Sequence, residues 1–197
     1  MIELSFIQLA AIALIFAWSG FVRSGIGFGG ALFTLPFLLL VLDDPLVFLP
    51  IISIHLLFFA STTVIGDHLK NASSNSNEKH IKTEVNWWFV RYSMAIMIIP
   101  KLAGVIGLLV LPAELTNIII FVLIAAYSLT YIFDMPMRSS SRLMDFSFLT
   151  FGAYISGTSL IGGPLVIAVA MRHIKSYEFR NTLFVLWTVL VSIKLCA

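Results

Sequence analysis

The chain has 197 residues, 59% of them hydrophobic and only 11% charged, with a mean hydropathy of +1.01 and a formal charge of +2. A soluble domain carries about a quarter charged residues, so this composition excludes a water-soluble globule and defines an integral membrane protein. A single cysteine, Cys196, excludes an internal disulfide and any cysteine-based zinc cluster.

A span needs about 20 mostly apolar residues. The first apolar run, 4–22, has no basic stretch before it and no small-x-small cleavage site before Gly20, so it reads as retained. A glycine-rich break follows, Ser24-Gly25-Ile26-Gly27-Phe28-Gly29-Gly30, and then a short apolar stretch, 28–42, closed by Asp43-Asp44-Pro45. Residues 46–65 make a full span, and 66–86 form the one long polar loop. The next span, 87–110, opens on Trp87-Trp88, whose indoles favour the headgroup level. The turn Leu111-Pro112-Ala113-Glu114 leads into a return span, 115–133, and a second basic loop, 134–145, carries Arg138 and Arg142. The apolar stretch 146–171 is interrupted by Ser156-Gly157-Thr158-Ser159-Leu160-Ile161-Gly162-Gly163-Pro164, and 179–195 begins another span.

Lipid tolerates a broken helix only where protein or a water-filled cavity covers the freed backbone. Paired breaks in corresponding positions are a sequence pointer to a transporter site built from an internal repeat. If each break is the tip of a hairpin, Arg23, Lys70, Lys79, Lys82, Arg138, Arg142, Arg172, Lys175 and Arg180 fall on one face. Glu3, Asp43, Asp44 and Glu114 fall on the other. The positive-inside rule favours this count over single kinked spans. It makes loops 67–86, 134–145 and 172–180 cytoplasmic and the N-terminus external, in a multi-pass protein of the inner membrane.

Gly29-Gly30-Ala31-Leu32 aligns with Gly162-Gly163-Pro164-Leu165, and Asp43-Asp44-Pro45 then falls against Ser176-Tyr177-Glu178 without a gap. The expected fold is therefore all-α and polytopic, an inverted repeat of a glycine-tipped helical hairpin plus three transmembrane helices. Residues 1–134 form the first repeat, and 135–197 an incomplete second one.

The pattern Gly-x-Gly-x-Gly-Gly-x-Leu-x-x-Pro over 25–36, repeated in the second half as Gly-Gly-Pro-Leu, resembles the sulfite exporter TauE/SafE family of bacterial and archaeal permeases. Glu84-Val85-Asn86-Trp87-Trp88, and the stretch from Pro100 through Gly107, also look like its first repeat. The resemblance implies movement of small sulfur-containing or organic anions, such as sulfite or sulfonates, across the inner membrane. Two departures stand out. The second repeat looks truncated at its C-terminal side, and Phe28 and Ile161 replace the third glycine of the usual cluster.

Candidate substrate-binding residues follow from the tips. Gly25, Gly27, Gly29, Gly30, Gly162 and Gly163 sit where backbone N–H groups are unpaired and a helix dipole is positive, which suits an anion. Close helix packing is the alternative use of such glycines. Ser24, Thr158 and Ser159 could donate to the same oxygens, or bond their own backbone. His55, at mid-depth in its span, could take a co-transported proton or sit neutral between helices. Lys101, following Pro100, could attract an anion or pair with a freed carbonyl. His68, His80 and His173 fall with the loop charges, and no metal spacing links them.

The expected function is a secondary permease, not an enzyme, coupled to a proton or sodium ion, with no cofactor and no nucleic-acid partner. A non-transporting remnant, or a half-transporter that works as a homo-oligomer, is one alternative. An intramembrane hydrolase with Ser159 as nucleophile and His173 as base is another.

Overall fold

A computed structural model describes residues 5–26, 30–73, 84–135 and 137–196. These form eight helices and no strand: α1 (Phe6–Ile26), α2 (Gly30–Val41), α3 (Pro45–Ser73), α4 (Trp87–Val110), α5 (Ala113–Ile132), α6 (Arg142–Ser159), α7 (Gly163–His173) and α8 (Ser176–Cys196). Five of them, α1, α3, α4, α5 and α8, are long and apolar enough to cross a membrane. The described residues are all-helical, and the five apolar helices fit the multi-pass membrane protein that the composition suggests. Side chains such as Leu14, Trp18, Phe58, Ile99, Ile106 and Val122 are exposed on these helices, which lipid accommodates and water would not.

Local signals set several boundaries. The Asn86 side chain accepts from the Phe89 N–H at the start of α4, and Ser141 accepts from Met144 at the start of α6. Each satisfies one of the orphan donors of a helix N-terminus. Helix α6 stops at Leu160, whose left-handed backbone (φ 63°) turns the chain away from the helix axis. A leucine in that region costs roughly 1–2 kcal/mol, and here it is held by burial in the core. Pro164 then sits in the first turn of α7, where its missing N–H costs nothing.

Both broken segments are hairpins that return to the end they came from. In the first, Gln8 near the start of α1 donates to the Val41 carbonyl at the end of α2, 3.3 Å away. In the second, Asp145 in the first turn of α6 meets Arg172 and His173 in the last turn of α7, at 2.9 and 2.8 Å. The two closures lie at opposite ends of the molecule. Asn117, early in α5, bonds Asp43 beside the first closure. Asn86, just before α4, bonds Glu178 and Thr182 at the start of α8, beside the second. Helices α3, α4 and α5 run between those ends, so the hairpins enter from opposite sides. The short arms α2 and α7 have 12 and 11 residues. At 1.5 Å per residue they reach about 18 and 16 Å, roughly half of a ~30 Å hydrocarbon core.

One constant offset relates Ile26 to Ser159 and Gly30 to Gly163, so the arms of both hairpins end and begin at matching positions. The buried core divides in two. One cluster, around Leu35, Leu38, Leu49 and Ile52, lies beneath the first hairpin. The other, around Phe89, Met97, Leu149, Val166 and Leu186, surrounds the second. Helix α4 packs along α6 at very short range. A Cβ on Gly104 would strike the Tyr154 carbonyl oxygen, and one on Gly157 would strike that of Lys101. Within lipid such contact needs small residues, because dispersion at close approach replaces the missing hydrophobic drive.

Candidate site between the hairpin tips

The two tips converge on one cavity of about 30 Å³, lined by Gly30, Ala31 and Leu32 of the first hairpin and Ser156, Leu160, Ile161, Gly163 and Pro164 of the second. Leu56 of α3 and Trp187 and Val191 of α8 complete its wall, with Arg23 from α1. A water needs roughly 10–15 Å³ of such space, so the cavity admits two or three waters or a small ion.

Arg23 dominates its electrostatics. The side chain is only 3% exposed, and its Nε and Nη2 atoms are buried with no hydrogen-bond partner among the described residues. The guanidinium carbon lies 5.5 Å from the centroid of the Phe184 ring. No described carboxylate lines the cavity. Arg23 thus belongs to the tips and not to a loop face, contrary to the charge count along the sequence. Its position one residue before Ser24 was the available signal, but a lone arginine beside a break reads equally well as a loop cation.

Both short helices present their N-terminal ends here. Gly30 opens α2 and Gly163 opens α7, and α7 has no side-chain cap. Pro164 brings no N–H, so Gly163 offers the first one of α7, and no side chain among the described residues caps it, at the positive end of the helix dipole. A Cβ at Gly163 would meet only the Trp187 ring, at 3.8 Å, whereas one at Gly30 would press on the Leu56 side chain at 3.0 Å. The same test separates Gly162 from Gly163. A Cβ on Gly162 would strike the Gly152 carbonyl, so that glycine lets α7 approach α6, and it does not line the cavity.

The other candidates are distributed as follows. Thr158 and Ser159 both donate to the Ile155 carbonyl, at 2.9 and 3.0 Å, and Ser156 lines the cavity in their place. Lys101 is fully buried, and its ammonium donates to the carbonyl and hydroxyl oxygens of Ser156 at 3.0 and 2.9 Å. It stands behind the cavity wall. His55 packs edge-on against Phe16 and tilted against Phe59, with ring centroids 5.2 and 4.8 Å apart, and its Nδ1 is buried without a partner among the described residues. Its neighbour Leu56, not His55, reaches the cavity. Ser24 and Gly25 end α1, with their side-chain surroundings outside the described residues; Gly27 and Gly29 lie outside them altogether.

Three interactions have no counterpart in the sequence reading. Lys194 of α8 donates to the carbonyls of Gly157 and Thr158 at 2.6 and 3.1 Å. Asp145 is buried at the base of the second hairpin between Arg172 and His173. His173 is accordingly half-buried against Trp88, Phe89 and Tyr92, and is not a solvated loop residue. Burial drives the Asp145 carboxyl up, but hydrogen bonds from Ser139 and His173 and the charges of His173 and Arg172 outweigh it, leaving it below the ordinary carboxylate value. His173 also sits at the opposite end of α6 from Ser159, about 21 Å away along the helix, so the two do not pair.

The fold and site define a class: an all-helical, multi-pass membrane protein whose oppositely inserted hairpins meet at a buried cationic cavity. No family model, curated protein or solved structure matches the chain.

Proposed function

We propose that this chain is a secondary permease for small anions, sulfite and simple sulfonates among them, of the TauE/SafE type that its glycine motifs resemble. One observation carries the reading: a buried guanidinium whose Nε and Nη2 have no partner among the described residues faces a cavity that no described carboxylate lines. An isolated charge in a low-dielectric site is expensive unless an opposite charge meets it. An anion entering between the tips supplies that charge. It accepts from Arg23 in the geometry that guanidinium offers to oxyanions, and from the Gly163 N–H that opens α7. Alternating access then consists of rocking one hairpin unit against the other around the shared site.

The orientation follows from charge. Arg138, Arg142, Arg172 and Lys175 gather at the end where the second hairpin closes, and Asp43, Asp44 and Glu114 at the other. The basic end is cytoplasmic in the inner membrane, and the N-terminus external.

The test is flux of a labelled anion panel in proteoliposomes containing the purified chain. Gly30→Leu and Gly163→Leu each place a side chain in the cavity, and are expected to abolish flux while the protein still inserts and remains helical. Unchanged flux in either variant overturns the tip site.

A further inference from the structure

The carbonyl end of α6 is occupied by two lysines from two other helices. A helix leaves its last four carbonyls without intrahelical partners, and its C-terminus carries partial negative charge. Helix α6 ends at Ser159, in the interior of the molecule. The Gly157 and Thr158 carbonyls accept from Lys194, and the Ser156 carbonyl and hydroxyl accept from Lys101. Four oxygens thus meet two lysine Nζ atoms, one carried by α4 and the other by α8.

In carriers built from discontinuous helices, carbonyl ends of this kind hold the coupling cation. A sodium ion and a lysine amino group compete there for the same backbone oxygens. Resting on the carrier reading above, we propose that the amino groups of Lys101 and Lys194 are the resident occupants of the α6 carbonyl end, and that they exclude sodium from it. The two hairpins then divide the work. The offset that matches Gly30 to Gly163 also matches Arg23 to Ser156, and both residues line the cavity. The first hairpin turns its own Arg23 into the cavity, whereas the α6 end of the second is held from behind the wall by lysines of α4 and α8.

The experiment measures thermal unfolding of the purified full chain in sodium, potassium and choline chloride at matched ionic strength. The unaltered protein is expected to give the same midpoint in all three. Lys194→Met vacates the Gly157 and Thr158 carbonyls. It should lower the midpoint in choline and gain a sodium-specific rise of about 3–6 °C once sodium exceeds its Kd about tenfold. Lys194→Arg, which keeps N–H donors for these carbonyls, should stay insensitive to sodium. A sodium-specific rise in the unaltered protein overturns the proposal, as does a folded Lys194→Met variant with no sodium response. If Lys194→Met fails to fold, Lys194→Gln in the same comparison decides it, together with the unaltered protein. Proteoliposomes that move no anion while this cation pattern holds would reject the carrier reading and leave the lysine assignment standing.

Discussion

Arg23 lies over the face of Phe184, with its guanidinium carbon 5.5 Å from the ring centroid, so a helix of each half frames the same cation. A ring face stabilises a cation without using up its N–H donors. The aromatic partner therefore fixes where the guanidinium sits and leaves its nitrogens available to a ligand.

Arg23→Gln removes the charge but keeps a polar side chain. A hydrogen bond to a charged group contributes about 1.5–3 kcal/mol, so anion affinity should fall about 10- to 100-fold. Arg23→Lys should retain part of it, because an ammonium keeps the charge and loses the planar fork. Equilibrium binding of sulfite to the detergent-solubilised protein measures this. Equal affinity in Arg23→Gln would remove Arg23 from the site.

The contact between α4 and α6 gives a prediction about stability alone. Gly157→Ala drives a methyl into the Lys101 carbonyl, and Gly104→Ala does the same at Tyr154. Overpacking of this kind costs about 1–3 kcal/mol. Both variants should show lower thermal midpoints, whereas Gly163→Ala, with only Trp187 nearby, should match the unaltered protein. A midpoint for Gly157→Ala equal to that of Gly163→Ala would contradict the close crossing.

Asp145 gives a pH dependence with a definite sign. Its folded-state pKa lies below the ordinary 3.8. The stabilisation is therefore fully present above that value and is lost as pH falls through the folded pKa. Unfolding midpoints followed from pH 7 downward should hold until about pH 4 and then decline. Asp145→Asn should lower the neutral midpoint by roughly 1–2 kcal/mol of stability and flatten the acid decline, the cost being modest because the Arg172 side chain is 33% exposed. An acid limb unchanged in Asp145→Asn would assign the decline to other carboxylates.

The sequence by itself determined the membrane class, the sites of both breaks, the hairpin count and the pairing of Gly30 with Gly163. These are local or additive properties: hydropathy sums over about 20 residues, glycine and proline disrupt the helix where they stand, and loop cations can be counted. Which side of each helix faces the cavity was not legible. Helices that are apolar all round carry no periodic signal of phase, so Thr158 and Ser159 could not be told from Ser156, nor His55 from Leu56. The partners of the buried cations were equally hidden. Lys101 meets Ser156 from 55 residues away and Lys194 meets Gly157 from 37. Only the packing of α4 and α8 against the end of α6 decides which oxygens those ammonium groups can reach, and only the closure of both hairpins brings Arg23 to a cavity shared with Gly163.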